Sequence, residues 1–235
     1  MNYRTLDPHL IIQTAERLEL RISERFPEAG LRRVAHELVA LARDTDRSAA
    51  ELARPIRWLR VVVALAILVG GAVFLFVGTF LSFDRISTGA FDFAQGVEAS
   101  LNTLIVAGLA FLALIQAEER LKRRRAFREL HGLRSLIHVI DMHQLTKDPS
   151  ALSASFTPTA HSPARITDAA DLVRYLDYCS EMLSITGKLA ALFAQATNDG
   201  VVVNAVNDIE TLGSNLSRKI WQKITLIEAE TARNG

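Results

Sequence analysis

The run VVVALAILVGGAVFLFVGTFLSF, residues 61–83, decides how this chain is read. It is 23 residues without a charge, bounded by Arg60 and Asp84. As a helix it would extend about 34 Å, enough for a hydrocarbon core of about 30 Å. Core helices of soluble proteins seldom stay uncharged over such a length, so the run predicts a membrane-spanning helix.

A second, weaker candidate follows at 99–117, between Glu98 and Glu118. It carries Ser100, Asn102, Thr103 and Gln116, but its middle, 104–115, is wholly apolar or small. The flanks bear on it. Arg43, Arg47, Arg54, Arg57 and Arg60 precede the first run, and Arg120, Lys122, Arg123, Arg124, Arg125 and Arg128 follow the second. The connecting segment has Arg85 between Asp84 and Asp92. Basic residues stay inside during insertion, which predicts a two-span hairpin with both termini cytoplasmic. Arg57, Arg60, Lys122, Arg123, Arg124 and Arg125 would then lie against anionic lipid headgroups.

The expectation is an all-α membrane protein of a bacterial-type inner (plasma) membrane, with a cytoplasmic helical bundle. Its parts are cytoplasmic helices in 1–58, a first span in 59–83, an extracytoplasmic loop in 84–97 and a second span in 98–117. The span continues as a long cytoplasmic helix through 118–148, followed by a flexible linker in 149–166 and a helical hairpin in 167–235.

Bulk properties narrow the classes further. Net charge is +1 over 235 residues, so the chain is not a polycation built for nucleic acid. The single cysteine, Cys179, excludes an intrachain disulfide. The first 21 residues lack the apolar core and cleavage site of a signal peptide. Neither 61–83 nor 99–117 contains Asp, Glu, Lys, Arg or His, which argues against a pump or coupled transporter. A channel would need an oligomer, lined by Asn102, Thr103 and Gln116. Ala66 and Gly70, and Ala113 and Ala117, are spaced for close helix approach.

Outside the spans, apolar periodicity predicts helices throughout. Leu10, Ile11, Leu18 and Ile22 mark the first, and Leu31, Val34, Leu38 and Leu41 the second. A third begins near Asp46 or Ser48, with a joint at Pro55. Leu130, Leu133, Ile137 and Ile140 form the stripe of the long helix, which ends before Pro149. Thr167 is the expected N-cap of the next helix. Leu172, Leu176, Cys179, Leu183, Thr186, Ala190 and Phe193 repeat at alternating spacings of four and three, a coiled-coil-like seam. Asn198-Asp199-Gly200 turns the chain into a last helix carrying Val202, Val206, Ile209, Leu216, Ile220, Ile224 and Ile227.

The stretch HGLRSLIHVIDMHQLTK, 131–147, holds three of the six histidines. On a helix His131 and His138 differ by about 20° and share a side with Arg134 and Asp141. His138 and Asp141, three apart, are neighbours. His131, His138, Asp141 and His143 are the candidate ligands of a divalent metal, with Asp177, Glu181, Asp208 or Glu210 completing the set from other helices. A buried polar seam of His138, Asp141 and Arg134 is the plainer alternative. A third is an anion pocket, with Arg134 and Lys147 meeting Arg218, Lys219 and Lys223. Ser135, Ser180 and Ser184 lie on no nucleophile turn, so no catalytic motif emerges.

Three functions follow. The first is a membrane-anchored helical scaffold or signalling protein, homo-oligomeric, with an unidentified cytoplasmic protein partner. The second is an oligomeric channel with a cytoplasmic regulatory bundle. The third is a tethered metal- or phosphate-dependent enzyme using the 131–143 cluster.

Overall fold

The computed structural model describes residues 4–80, 90–152, 156–162, 165–197 and 199–234. Their order is α1 (Pro8–Arg25), α2 (Gly30–Ala53), α3 (Arg57–Phe80), α4 (Ala90–Leu145), a 3-10 turn (Pro149–Leu152), α5 (Ala169–Ala196) and α6 (Gly200–Asn234). There is no strand among the described residues.

The two-span membrane architecture is overturned. Among the described residues, no helix is long and apolar enough to cross a membrane. The first turn of α3 holds Arg57 and Arg60, and α4 carries Glu118, Glu119 and Arg120 near its middle. The multi-pass inner-membrane location and the inside–outside assignment of termini and loop fall with the spans. Residues 84–89 of the expected loop lie outside the described residues, and α4 begins at Ala90, inside what was read as loop.

The chain forms two compact units, one of 1–53 with 123–235 and one of 54–122. The first is a helical bundle built from α1, α2, the 123–145 part of α4, α5 and α6. Asp7 caps α1, its carboxylate accepting from His9 N at 2.9 Å, with Pro8 in the first turn. The third helix expected from Asp46 or Ser48 does not start there. α2 runs unbroken to Ala53, because Thr45 and Ala49 continue the buried stripe of Leu31, Val34 and Leu38. The joint at Pro55 is present between α2 and α3.

α5 is the hub of this bundle. All seven seam positions from Leu172 to Phe193 are buried. So are Tyr175, Tyr178, Met182, Ile185, Leu189 and Leu192, which makes α5 a helix covered on most sides rather than along one stripe. Asp168, not Thr167, is its N-cap, accepting from Asp171 N at 2.7 Å. Asp is at least as good a cap as Thr, and Asp168 stands one residue closer to the helix. α6 packs antiparallel on α5 through its seven expected positions, all buried. Gly213 lets the helices close, since a Cβ there would lie 3.6 Å from the Leu183 carbonyl oxygen. Asp199 starts α6 by accepting from Val201 N at 2.9 Å and receives Arg123 Nε from α4 at 2.6 Å. Leu130, Leu133, Ile137 and Ile140 bury α4 against this core.

In the second unit, Glu118 of α4 accepts from Ile56 N at 3.1 Å, just before α3, and pairs with Lys122 and Arg60 at 3.1 and 3.5 Å. These donors hold its carboxyl below the usual carboxylate range against an opposing effect of burial.

Candidate functional site

The stripe that buries α4 fixes where its histidines go. Leu133, Ile137 and Ile140 face the core, so the side shared by His131, Arg134 and His138 faces solvent, and all three are exposed. Asp141 is half-buried and accepts from Gln144 Nε2 at 2.6 Å, not from His138. No group of three or more His, Cys, Asp or Glu able to hold a metal occurs among the described residues. Asp177 and Glu181 are engaged by Arg174 and Arg21.

A polar seam does exist, with different members. Gln144 is buried at the last turn of α4. Lys223 of α6 donates from Nζ to the Gln144 carbonyl at 2.9 Å, to Gln144 Oε1 at 2.7 Å and to the Lys147 carbonyl at 3.4 Å. Carbonyls at a helix C-terminus have no intrahelical donor and carry partial negative charge, so an ammonium there satisfies both needs. Burial pulls the Lys223 pKa below the usual lysine value, with Asp148, Asp141 and Cys179 opposing. Lys147 stands 5.0 Å above the Tyr175 ring and is lowered by burial as well. Cys179 lies beneath this cluster, its thiol pushed up to about 12 by burial and drawn back by Lys147 and Lys223. The thiol is packing, not a nucleophile.

The five cations named for an anion pocket do not converge. Lys147 and Lys223 come together. Arg134 and Lys219 are exposed, and Arg218 lines a groove between α5 and α6 with Lys188, Glu210 and Trp221. Of the basic residues flanking the apolar runs, Arg60 and Lys122 pair with Glu118, and Arg123 pairs with Asp199, while Arg57, Arg124 and Arg125 are exposed.

Of the three histidines in 131–147, His143 is the one packed against another helix. It points away from His131 and His138, into a cavity of about 480 Å³ between α2 and α4. Arg33, Glu37 and Ser135 line the same cavity. Its ring packs on the first residue of α2: a Cβ on Gly30 would stand 2.6 Å from His143 Cε1. Gly132 lies 3.6 Å, by the same measure, from Leu41 Cδ1. An advance from 30 to 41 on α2 is thus a retreat from 143 to 132 on α4, so the helices run antiparallel. Burial lowers the His143 pKa, and Lys147 and Arg33 lower it further. Sequence reasoning missed this groove. Its signal was the pair of glycines, each on a helix where a side chain would fill the space.

Among the described residues, the second unit exposes many large apolar side chains. Val61, Val62, Leu65, Ile67, Leu68 and Val69 on α3, and Leu104, Ile105, Val106, Leu109 and Leu112 on α4, are all exposed. A Cβ on Gly70, Gly71 or Gly108 would meet nothing within 4 Å. Comparison with protein-family models, with curated proteins and with solved structures finds no match to the chain.

Proposed function

We propose that this chain is a helical interaction scaffold that assembles with further copies of itself through the apolar helices of residues 54–122. The observation that carries this reading is the exposure around α3. At 100° per residue, Val61, Val62, Leu65, Ile67, Leu68 and Val69 point around most of the helix circumference, and each is exposed. A helix apolar on most sides requires cover on most sides, and a single partner helix covers one stripe. Contiguous apolar surface of this kind marks an interaction site. The open positions at Gly70, Gly71 and Gly108 suit close approach of a second backbone. The bundle of α1, α2, α5 and α6 would then be the rigid body that each copy presents.

Sedimentation velocity of the full chain in detergent-free buffer tests the proposal. It predicts a defined assembly of more than two copies, and dissociation by the double substitution Leu65→Lys with Leu68→Lys, while far-ultraviolet circular dichroism stays helical. A wild-type monomer would overturn it. So would quantitative flotation with phosphatidylcholine–phosphatidylglycerol vesicles in place of self-assembly.

A further inference from the structure

Three places in the bundle carry unassigned polar chemistry. The guanidinium of Arg165, stacked 3.7 Å over Phe156, leaves Nε and Nη1 buried without a hydrogen-bond partner among the described residues. It adjoins segments outside the described residues. The α5–α6 groove holds Lys188, Glu210, Arg218 and Trp221. Its Lys188 is engaged with Ser184 Oγ at 2.6 Å, and its charged ends lie well apart along the helices. The α2–α4 groove combines a cavity, open donors and an ordered separation of charge.

We infer that the α2–α4 groove is a binding site for a small amphoteric molecule, one with a phosphate or carboxylate at one end and an amine at the other. The argument starts from the antiparallel register. Gly30 adjoins His143, so Arg33 and His143 lie at one end of the groove. Leu41 adjoins Gly132, so Glu37 and Ser135 lie toward the other. Four residues of helix separate Arg33 from Glu37, an axial distance of about 6 Å. Val34, Leu136 and Val139 form the apolar floor between them. Small-molecule sites have this composition: an apolar floor, a few convergent polar groups and a volume of a few hundred Å³.

The polar groups are available. Many other surface cations of the bundle are spent on carboxylates, among them Arg21, Arg25, Arg43 and Arg174. Arg33, Glu37, Ser135 and His143 side chains have no hydrogen-bond partner among the described residues. Arg33 offers a planar fork suited to an oxyanion. His143, facing Arg33 from α2 and Lys147 from its own chain end, is short of negative charge. An anion beside it supplies that charge, so binding and protonation of the imidazole favour each other. Glu37 is the carboxylate facing the groove, and it receives the amine. Gly30 makes room for the His143 ring, because a side chain there would occupy the ring's place.

The test is the imidazole titration of His143 in the full-length protein, followed by NMR and assigned through the loss of its signal in His143→Gln. The probes are inorganic phosphate and 3-aminopropyl phosphate. Both raise the His143 titration midpoint, and the aminoalkyl ester binds at least about threefold more tightly than phosphate. Glu37→Gln makes the two probes equal, and Arg33→Gln abolishes the response to both. Absence of any shift with either probe at about 10 mM would overturn the site. Equal binding of both probes to the wild type, or an undiminished response in Arg33→Gln, would overturn the assigned chemistry. His143 remains observable in the Arg33 and Glu37 variants, and its signal reports whether each has folded.

Discussion

Lys223 of α6 holds the end of α4: its ammonium donates to both the carbonyl oxygen and the side-chain oxygen of Gln144, at 2.9 and 2.7 Å. The Gln144 amide in turn donates to Asp141 at 2.6 Å, so a half-buried charge, a buried amide and a carboxylate form one chain. Removing the cation leaves Gln144 Oε1 without its donor, and the Gln144 carbonyl with Lys147 N at 3.1 Å. Lys223→Met keeps the aliphatic stem and is expected to lower stability by about 1–3 kcal/mol, read from the urea midpoint. Gln144→Leu in the Lys223→Met background should cost less than in the wild type, because the two side chains act as a unit.

Thr45 is fully buried in α2, and its hydroxyl has no hydrogen-bond partner among the described residues. A buried hydroxyl without a partner carries its desolvation cost uncompensated. Thr45→Val replaces it by a methyl of similar shape. Stability should rise by about 1 kcal/mol, seen as a higher melting temperature with unchanged helicity.

His143 gives the bundle a pH dependence. Burial, Lys147 and Arg33 hold its folded-state pKa below the ordinary histidine value of about 6.5, so folding favours the neutral ring. The stabilising contribution is complete above about pH 6.5 and is lost as pH falls through the lower folded-state value. Urea midpoints measured between pH 7.5 and 5 should fall in the wild type and fall less in His143→Gln. The same ring excludes a side chain at Gly30, a clash at 2.6 Å that a ring movement must relieve. Gly30→Ala should therefore destabilise the wild type but stabilise His143→Ala, where helix propensity alone decides.

Cys179 is fully buried on α5, with its thiol pushed up to about 12. Thiolate is the reactive form, so iodoacetamide at pH 8 should modify the native chain at least roughly a hundredfold more slowly than the urea-unfolded chain. Comparable rates in the two states would contradict the packing described for α5.

The helical bundle was legible from periodicity. The four–three seam of α5 and the stripe of α6 recorded which residues turn inward, and burial follows them position by position. In α1 Leu10 is the exception, exposed beside the groove formed with Ser184 and Lys188, because Ala15 takes the inward place that spacing left open. The apolar run at 61–83 misled for a physical reason. Hydropathy reports that a helix needs apolar surroundings but not what supplies them, and among the described residues no helix is both long and apolar enough to cross a bilayer. The site was hardest to read. His131 and His138 looked like a cluster because they share a helical side, yet that side lies opposite the stripe that buries α4. His143, set apart by its angle, was the one aimed at another helix. Gln144 and Lys223 are 79 residues apart, and no local pattern announces such a pair.

The central claim is self-assembly through residues 54–122, and disulfide trapping at Gly70 tests it most directly. The position is open in the single chain, and a disulfide forms only where Cα atoms of two copies approach within about 7 Å. With Cys179 replaced by Ala, Gly70→Cys should give a cross-linked dimer under mild oxidation in detergent-free buffer, whereas Glu51→Cys, exposed at the end of α2, should not. Failure of Gly70→Cys to cross-link, or equal cross-linking of both variants, would contradict the account.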